Sequence, residues 1–177
     1  MTKLFQHQDD DLRRMVYLCI KEISSTADEV IIITSSLIKD MSSKNDLYRA
    51  NALRVLCKII DSQMLTQIER YLKQAVVDKS AVVSSAALIS GMQLLKGNME
   101  LVKRWNSEIQ EVVNSKQDMV QFHGVSLQHA LRANDRLAIS KLVTGLIKGP
   151  SRINLSAMSQ CLLIRFVSEV KPPSLLE

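Results

Sequence analysis

The residues best suited to chemistry in this chain are three histidines, one acidic triplet and three cysteines. His7 stands alone near the start, while His123 and His129 are six residues apart and so fall on different helix faces. None has a Cys, Asp or Glu at the spacing of a metal site, and all three are expected to be structural. Asp9-Asp10-Asp11 carries enough charge for a divalent cation, yet no Gly turn and bidentate Glu follow in EF-hand order. Acid ahead of an apolar helix is explained more simply by the helix dipole. Gly91, Gly97, Gly124, Gly145 and Gly149 are isolated, so no glycine-rich loop exists to cradle a phosphate. No Gly-x-Ser-x-Gly elbow is present either. Cys19, Cys57 and Cys161 are odd in number, far apart and set in apolar helical patterns. They are expected to be reduced and buried rather than bridged or bound to zinc. No enzyme and no cofactor is indicated.

The elements that would position these residues read as helices throughout. The chain has 177 residues, of which 46% are hydrophobic and 23% charged, with only 5 Gly, 3 Pro and 4% aromatics. That is globular composition, too poor in aromatics and turn residues for an all-β fold. Leu12, Met15, Val16, Cys19, Ile20 and Ile23 recur at three- and four-residue spacing behind the acidic triplet. A second helix is expected over Ala27 to Met41, and a third from Asn45-Asp46 through Ile60. Others are expected near 64–78, 81–96, 98–114, 118–133, 135–148 and 155–170. Short connectors separate them, such as Ser42-Ser43, Asp61-Ser62, Gly97-Asn98, Asn134-Asp135 and Gly149-Pro150, and Pro172-Pro173 stops the last. About nine helices with such short links leave no room for a strand or a domain boundary over 1–177.

A register repeats along these helices. Aligning on a mostly small residue followed by Leu gives Tyr17-Leu18, Ala52-Leu53, Ala87-Leu88, Ser126-Leu127 and Cys161-Leu162, with leucine spacings of 35, 35, 39 and 35. One such element per two helices is the pattern of helix-pair solenoids of the HEAT and armadillo type, in which small residues let neighbouring pairs approach closely. The sequence therefore predicts an all-α fold, a segment of right-handed α-solenoid presenting long faces to other proteins. Both ends look cut: Met1 to Phe5 reads like the end of a preceding helix, as in a section of a longer array.

Val30-Ile31-Ile32-Ile33 is the sharpest anomaly. Val30, Ile33, Leu37 and Met41 fall within about 80° of one another and make a core stripe. Ile31 lies about 100° from Val30, on a face with Thr34 and Ile38 at its edge. The surplus isoleucines serve either contact with neighbouring repeats or a partner-facing patch. Trp105, after Lys103-Arg104, is expected to anchor the core or a groove. The formal charge of +5 is spread out, with no basic run longer than two residues, which speaks against nucleic acid. The excess is carried mainly after Leu88 and suits either a solvated ridge or an anionic leaflet. No apolar stretch approaches the roughly 18 residues of a membrane span.

Specific strings identify a resemblance. Thr2-Lys3-Leu4-Phe5-Gln6, Leu12-Arg13-Arg14-Met15, Ile20-Lys21-Glu22, Asp28/Glu29 before Val30-Ile31-Ile32 and Thr34-Ser35-Ser36-Leu37 belong to it. So do Lys39-Asp40-Met41, Ile68-Glu69-Arg70-Tyr71, Val102-Lys103-Arg104-Trp105 and Asn134-Asp135-Arg136-Leu137-Ala138. With these the chain resembles the N-terminal trunk of the coatomer gamma family, COPI-coat relatives of the adaptin large chains. The resemblance implies a structural subunit of a vesicle coat, cytoplasmic and peripheral on Golgi membranes through its partners. Those partners would be the coatomer zeta subunit, other coatomer subunits and an Arf-family GTPase in its GTP state. It further implies GTPase contact on the helix Ala27–Met41, with Ile31 and Thr34 as contact positions and Ile38, Asp28 and Val30 beside them. A clathrin-adaptor large chain or another HEAT-repeat scaffold is the alternative of like architecture.

Overall fold

In the computed structural model the backbone is described for residues 2–23, 27–148 and 155–170, and side chains for 3–22, 33–148 and 155–169. Thr2–Gln6 forms a 3-10 turn instead of the end of an α-helix. Nine α-helices follow among the described residues. They are α1 (Asp10–Ile23), α2 (Ala27–Met41), α3 (Asp46–Ile59), α4 (Ser62–Val76) and α5 (Ala81–Lys103). The remainder are α6 (Asn106–Val113), α7 (Asp118–Ala130), α8 (Arg136–Lys148) and α9 (Ala157–Val170). The connectors Gly149-Pro150 and Pro172-Pro173 lie outside the described residues.

Short polar side chains start these helices by accepting orphan amides of the first turn. Asp9 accepts the N–H groups of Asp11 and Leu12 at 2.9 Å each. Asn45 accepts from Leu47 at 2.9 Å, Asp61 from Met64 at 2.8 Å and Asp135 from Ala138 at 3.0 Å. Gly97-Asn98 behaves differently from a connector. The helix runs through it with a kink, Asn98 having φ −136° and ψ 44°, and chain reversal waits until Arg104-Trp105.

Packing separates the helices into two rows. α1, α3, α5, α7 and α9 contact one another in succession, and each even helix packs on the odd helix after it, as α2 on α3 and α8 on α9. The repeating unit is therefore an even–odd pair, and the recurrent Xaa-Leu register falls once in each odd helix. In the interior it is the stacking contact: Leu53, Leu88 and Leu127 are each 1% exposed or less. α5 lies at the centre and is buried around nearly its whole girth, from Val83 through Ala87, Leu88, Ser90 and Gly91. Small side chains make that possible. A Cβ on Gly91 would meet Leu127 and Trp105 at 3.1 Å, and one on Gly124 would meet Val112 at 3.1 Å.

One apolar cluster runs from Val16 to Leu127 through the first pairs. A second joins Val113 and Val125 to Ile139, Val143, Leu146, Leu155 and Phe166. Outermost, the register ceases to be buried: Leu18 in α1 is 58% exposed. The same geometry corrects the expectation for the cysteines. Cys57, in α3, is buried, and burial pushes its thiol up to about 12. Cys19 in α1 and Cys161 in α9 are exposed, because no helix of the described array covers those faces.

Candidate functional site

The histidines and the acidic triplet do not converge. Among the described residues no three His, Cys, Asp or Glu side chains are placed to hold a metal. Asp9 is the N-cap of α1, Asp10 accepts from Asn45 Nδ2 at 3.2 Å, and Asp11 pairs with Arg14 at 2.9 Å. His7 accepts the Asp9 N–H. His129 stacks flat on Phe166, ring centroids 3.7 Å apart, and joins α7 to α9.

His123 Nδ1 is hydrogen-bonded to Ser85 Oγ, a pairing across α5 and α7 that no sequence spacing announces. A Ser–His pair is half of a nucleophilic dyad, and two facts argue against that chemistry here. Ser85 is only 2% exposed, so no substrate reaches its hydroxyl. The charged group acting on the imidazole is Arg54, and burial, chiefly, together with that cation holds the His123 pKa below 6.5. An orienting acid would act in the opposite sense. The pair serves to satisfy two polar groups between stacked repeats.

The surface singled out by sequence is one flank of α2. Ile33, Leu37 and Met41 are 7%, 0% and 9% exposed and form the core stripe. Thr34 corrects the expectation: at 1% exposure it is turned into the array and cannot reach a partner. Its reason is angular, since Thr34 stands only about 20° past Met41 on the helical wheel and falls inside the stripe once neighbouring helices close over it. Ile38, about 40° further round, is half-buried against the same core. Ser35 and Lys39 complete the turn to solvent and are exposed. The side chains of Asp28, Val30 and Ile31 lie outside the described residues.

α2 is fastened from behind by a network that sequence reading missed. Arg13, 1% exposed, donates to Tyr17 Oη at 2.6 Å and to Asp40 Oδ2 at 2.6 Å, and Tyr17 donates to the same carboxylate at 2.8 Å. The guanidinium lies 4.3 Å from the Tyr48 ring centroid and 5.2 Å from that of Phe5. Burial lifts the Tyr17 pKa well above its ordinary value, so the phenol remains a donor. Arg13 and Tyr17, four apart, were a legible helical pair; Asp40, 27 residues from Arg13, was not. Trp105 is fully buried and packs against Gly91, which makes it a core anchor.

No described helix is long and apolar enough to cross a membrane. In comparison with known proteins, the chain is 64% identical over 170 residues to coatomer subunit gamma-1 of Oryza sativa subsp. japonica, covering 96% of this chain and 19% of that one. It is 64% identical over 170 residues to coatomer subunit gamma of Arabidopsis thaliana and 53% over 170 residues to that of Drosophila melanogaster, with the same coverage. The chain thus spans about a fifth of the length of the curated relatives it matches. The model of the adaptin N-terminal region matches residues 1–176. With two rows of stacked helix pairs and a match over that whole range, the chain belongs to the adaptin N-terminal-region family.

Proposed function

We propose that this chain is a trunk section of a COPI-type coat subunit, a scaffold that binds proteins and performs no chemistry. The observation that carries the reading is identity of 50% to 64% to coatomer gamma chains over about 96% of the chain. The partners are other coatomer subunits, the zeta subunit among them, and an Arf-family GTPase in its GTP state. Membrane association at the Golgi is peripheral and comes through those partners, in traffic within the Golgi and back to the endoplasmic reticulum.

GTPase contact falls on the outer flank of α2. By spacing, Ile31 stands one turn before Ser35 and two before Ile38, at an angle between the half-buried isoleucine and the exposed serine. Asp28 falls between Ser35 and Lys39 by the same rule. Such a flank offers apolar surface at the edge of a charged, wet face, the makeup of a central anchor with a polar rim. Bound GTP orders the switch loops of a small GTPase, and a preformed helix face that fits only the ordered loops reads the nucleotide state. The Arg13–Tyr17–Asp40 clamp keeps that face rigid, which limits the entropy lost on binding.

Co-purification with GTP-locked and GDP-locked Arf-family proteins tests this reading. Retention of the GTP-locked form alone is the expected result. Ile31→Asp is expected to weaken that binding by about 2 kcal/mol or more, as for a central anchor. Unchanged affinity with an intact helical spectrum removes Ile31 from the interface. Equal retention of both nucleotide forms removes the mechanism.

A further inference from the structure

Among the described residues four arginines are partly or fully buried, and two of them, Arg13 and Arg49, face a carboxylate. Arg13 has Asp40 and Arg49 has Asp46 and Asp78, while the exposed Arg104 has Glu69 in a two-pronged contact at 3.0 and 2.6 Å. Arg132, just past the end of α7, has none among the described residues. Its Nη1 donates to the Gln128 carbonyl at 2.9 Å, and its Nη2 lies 3.5 Å from Asn106 Oδ1. Partial burial, with no anion to offset it, works against the charge and lowers its pKa. Arg54 also lacks a carboxylate partner among the described residues, but it sits against His123 inside the odd row.

Arg132 borders a cleft of about 550 Å³ between α6, α7 and α8. Lys141 of α8 lies on the same wall, is exposed, and has no ion-pair partner among the described residues. No acidic side chain lines the cleft. The wall also carries an amide pair, Gln128 Nε2 donating to Gln110 Oε1 at 2.9 Å. Gln128 is buried, whereas Gln110 is exposed and keeps its amide N–H groups for a ligand. Val113 and Leu146 supply an apolar floor. Gly145 lies on the rim, where an added Cβ would meet nothing within 4 Å.

We propose that this cleft binds an acidic peptide segment of a partner protein. The carboxylate sits between Arg132 and Lys141, a backbone carbonyl of the segment accepts from the exposed Gln110 amide, and an adjacent aliphatic side chain lies on Val113 and Leu146. What marks the cleft is a lining that holds two cations and no carboxylate, with an exposed amide and an apolar floor beside them. An apolar floor beside two cations favours a peptide with an aliphatic side chain over a lipid headgroup, whose recognition rests on clusters of cations. The site stands on α6, α7 and α8, apart from α2, and does not depend on the GTPase reading.

The probe is a phage-displayed library of random dodecapeptides panned on the full chain, with selected peptides then titrated by fluorescence anisotropy. The expected result is enrichment of Asp or Glu next to Leu, Ile or Val, with binding that weakens as salt rises. Replacing the acidic residue of a selected peptide by its amide, or introducing Arg132→Glu, is expected to weaken binding about tenfold or more. Lys141→Glu, on an exposed position, is expected to act in the same direction. Gly145→Leu blocks the rim without touching charge, so loss of binding with an unchanged melting temperature locates the ligand in the cleft. Selection of no acidic peptides, or equal binding by all three variants, overturns the proposal. So does binding to vesicles containing anionic lipid that Arg132→Glu abolishes while peptide binding is unaffected.

Discussion

Gly91 and Gly97 are both helical glycines of α5, yet a methyl group meets different surroundings at each. At Gly91 it would press on Leu127 and the Trp105 ring at 3.1 Å, both fully buried; at Gly97 it meets nothing within 4 Å. Gly91→Ala is therefore expected to destabilise the chain by about 1–3 kcal/mol through overpacking. Gly97→Ala is expected to stabilise it by about 0.5–1 kcal/mol through backbone entropy. Urea unfolding of the two variants checks the opposite signs. His123 makes a second prediction at this scale. Its pKa is lowered in the fold, so the unfolded chain takes up the proton first as pH falls below about 6.5. Stability contributed by the neutral imidazole is present above that pH and is lost on acidification towards the folded pKa. Melting temperatures from pH 8 to pH 5 should fall for the parent and fall less for His123→Gln; parallel curves would count against the assignment. None of this was legible in sequence, because Gly91–Trp105 and Ser85–His123 contacts join different helices.

The element most exposed to a single change is α1. It holds α2 through the Arg13–Tyr17–Asp40 network, in which Arg13 and Asp40 are 1% and 13% exposed. Removing the carboxylate leaves a buried guanidinium without its anion, the costly half of such a pair. Asp40→Ala is expected to cost about 3–5 kcal/mol, measured by chemical unfolding. A loss below 1 kcal/mol would mean that stacking on Tyr48 and Phe5 suffices to hold Arg13. The same element explains why the expected flank of α2 was only partly right. Wheel angles locate Ile33, Leu37 and Met41 in the core correctly, but a stripe's width depends on the neighbours that close over it. Thr34 lay at the margin and was swallowed; Ile38 lay further out and was only half covered.

Across the whole molecule, an array whose helix pairs contact mainly their neighbours has stability graded along its length. α5 is packed by α3, α4 and α7, while among the described residues α1 and α9 each have odd-row neighbours on one side only. Native-state hydrogen exchange is expected to be slowest in α5 and fastest in α1 and α9. Uniform protection across all helices would show a single cooperative unit instead. What the sequence determined by itself was the helical character, the start of most helices and the repeat, because apolar periodicity, capping residues and recurring small-residue registers are local properties that every copy restates. Even Gly97-Asn98 was recognisable as an irregularity, though as a kink rather than a connector. Only the tertiary structure decided which copies of that register are buried. Leu53, Leu88 and Leu127 disappear between helices while Leu18, in the same register, faces outward; Cys57 is sealed while Cys19 and Cys161 are not. Tertiary structure also decided which charges are left over, since among the described residues Arg132 lacks a carboxylate and Arg13 has one through pairings that span helices. The physical reason is one of range: a helix is specified within a few residues, whereas burial and charge compensation belong to whichever neighbour arrives from tens of residues away.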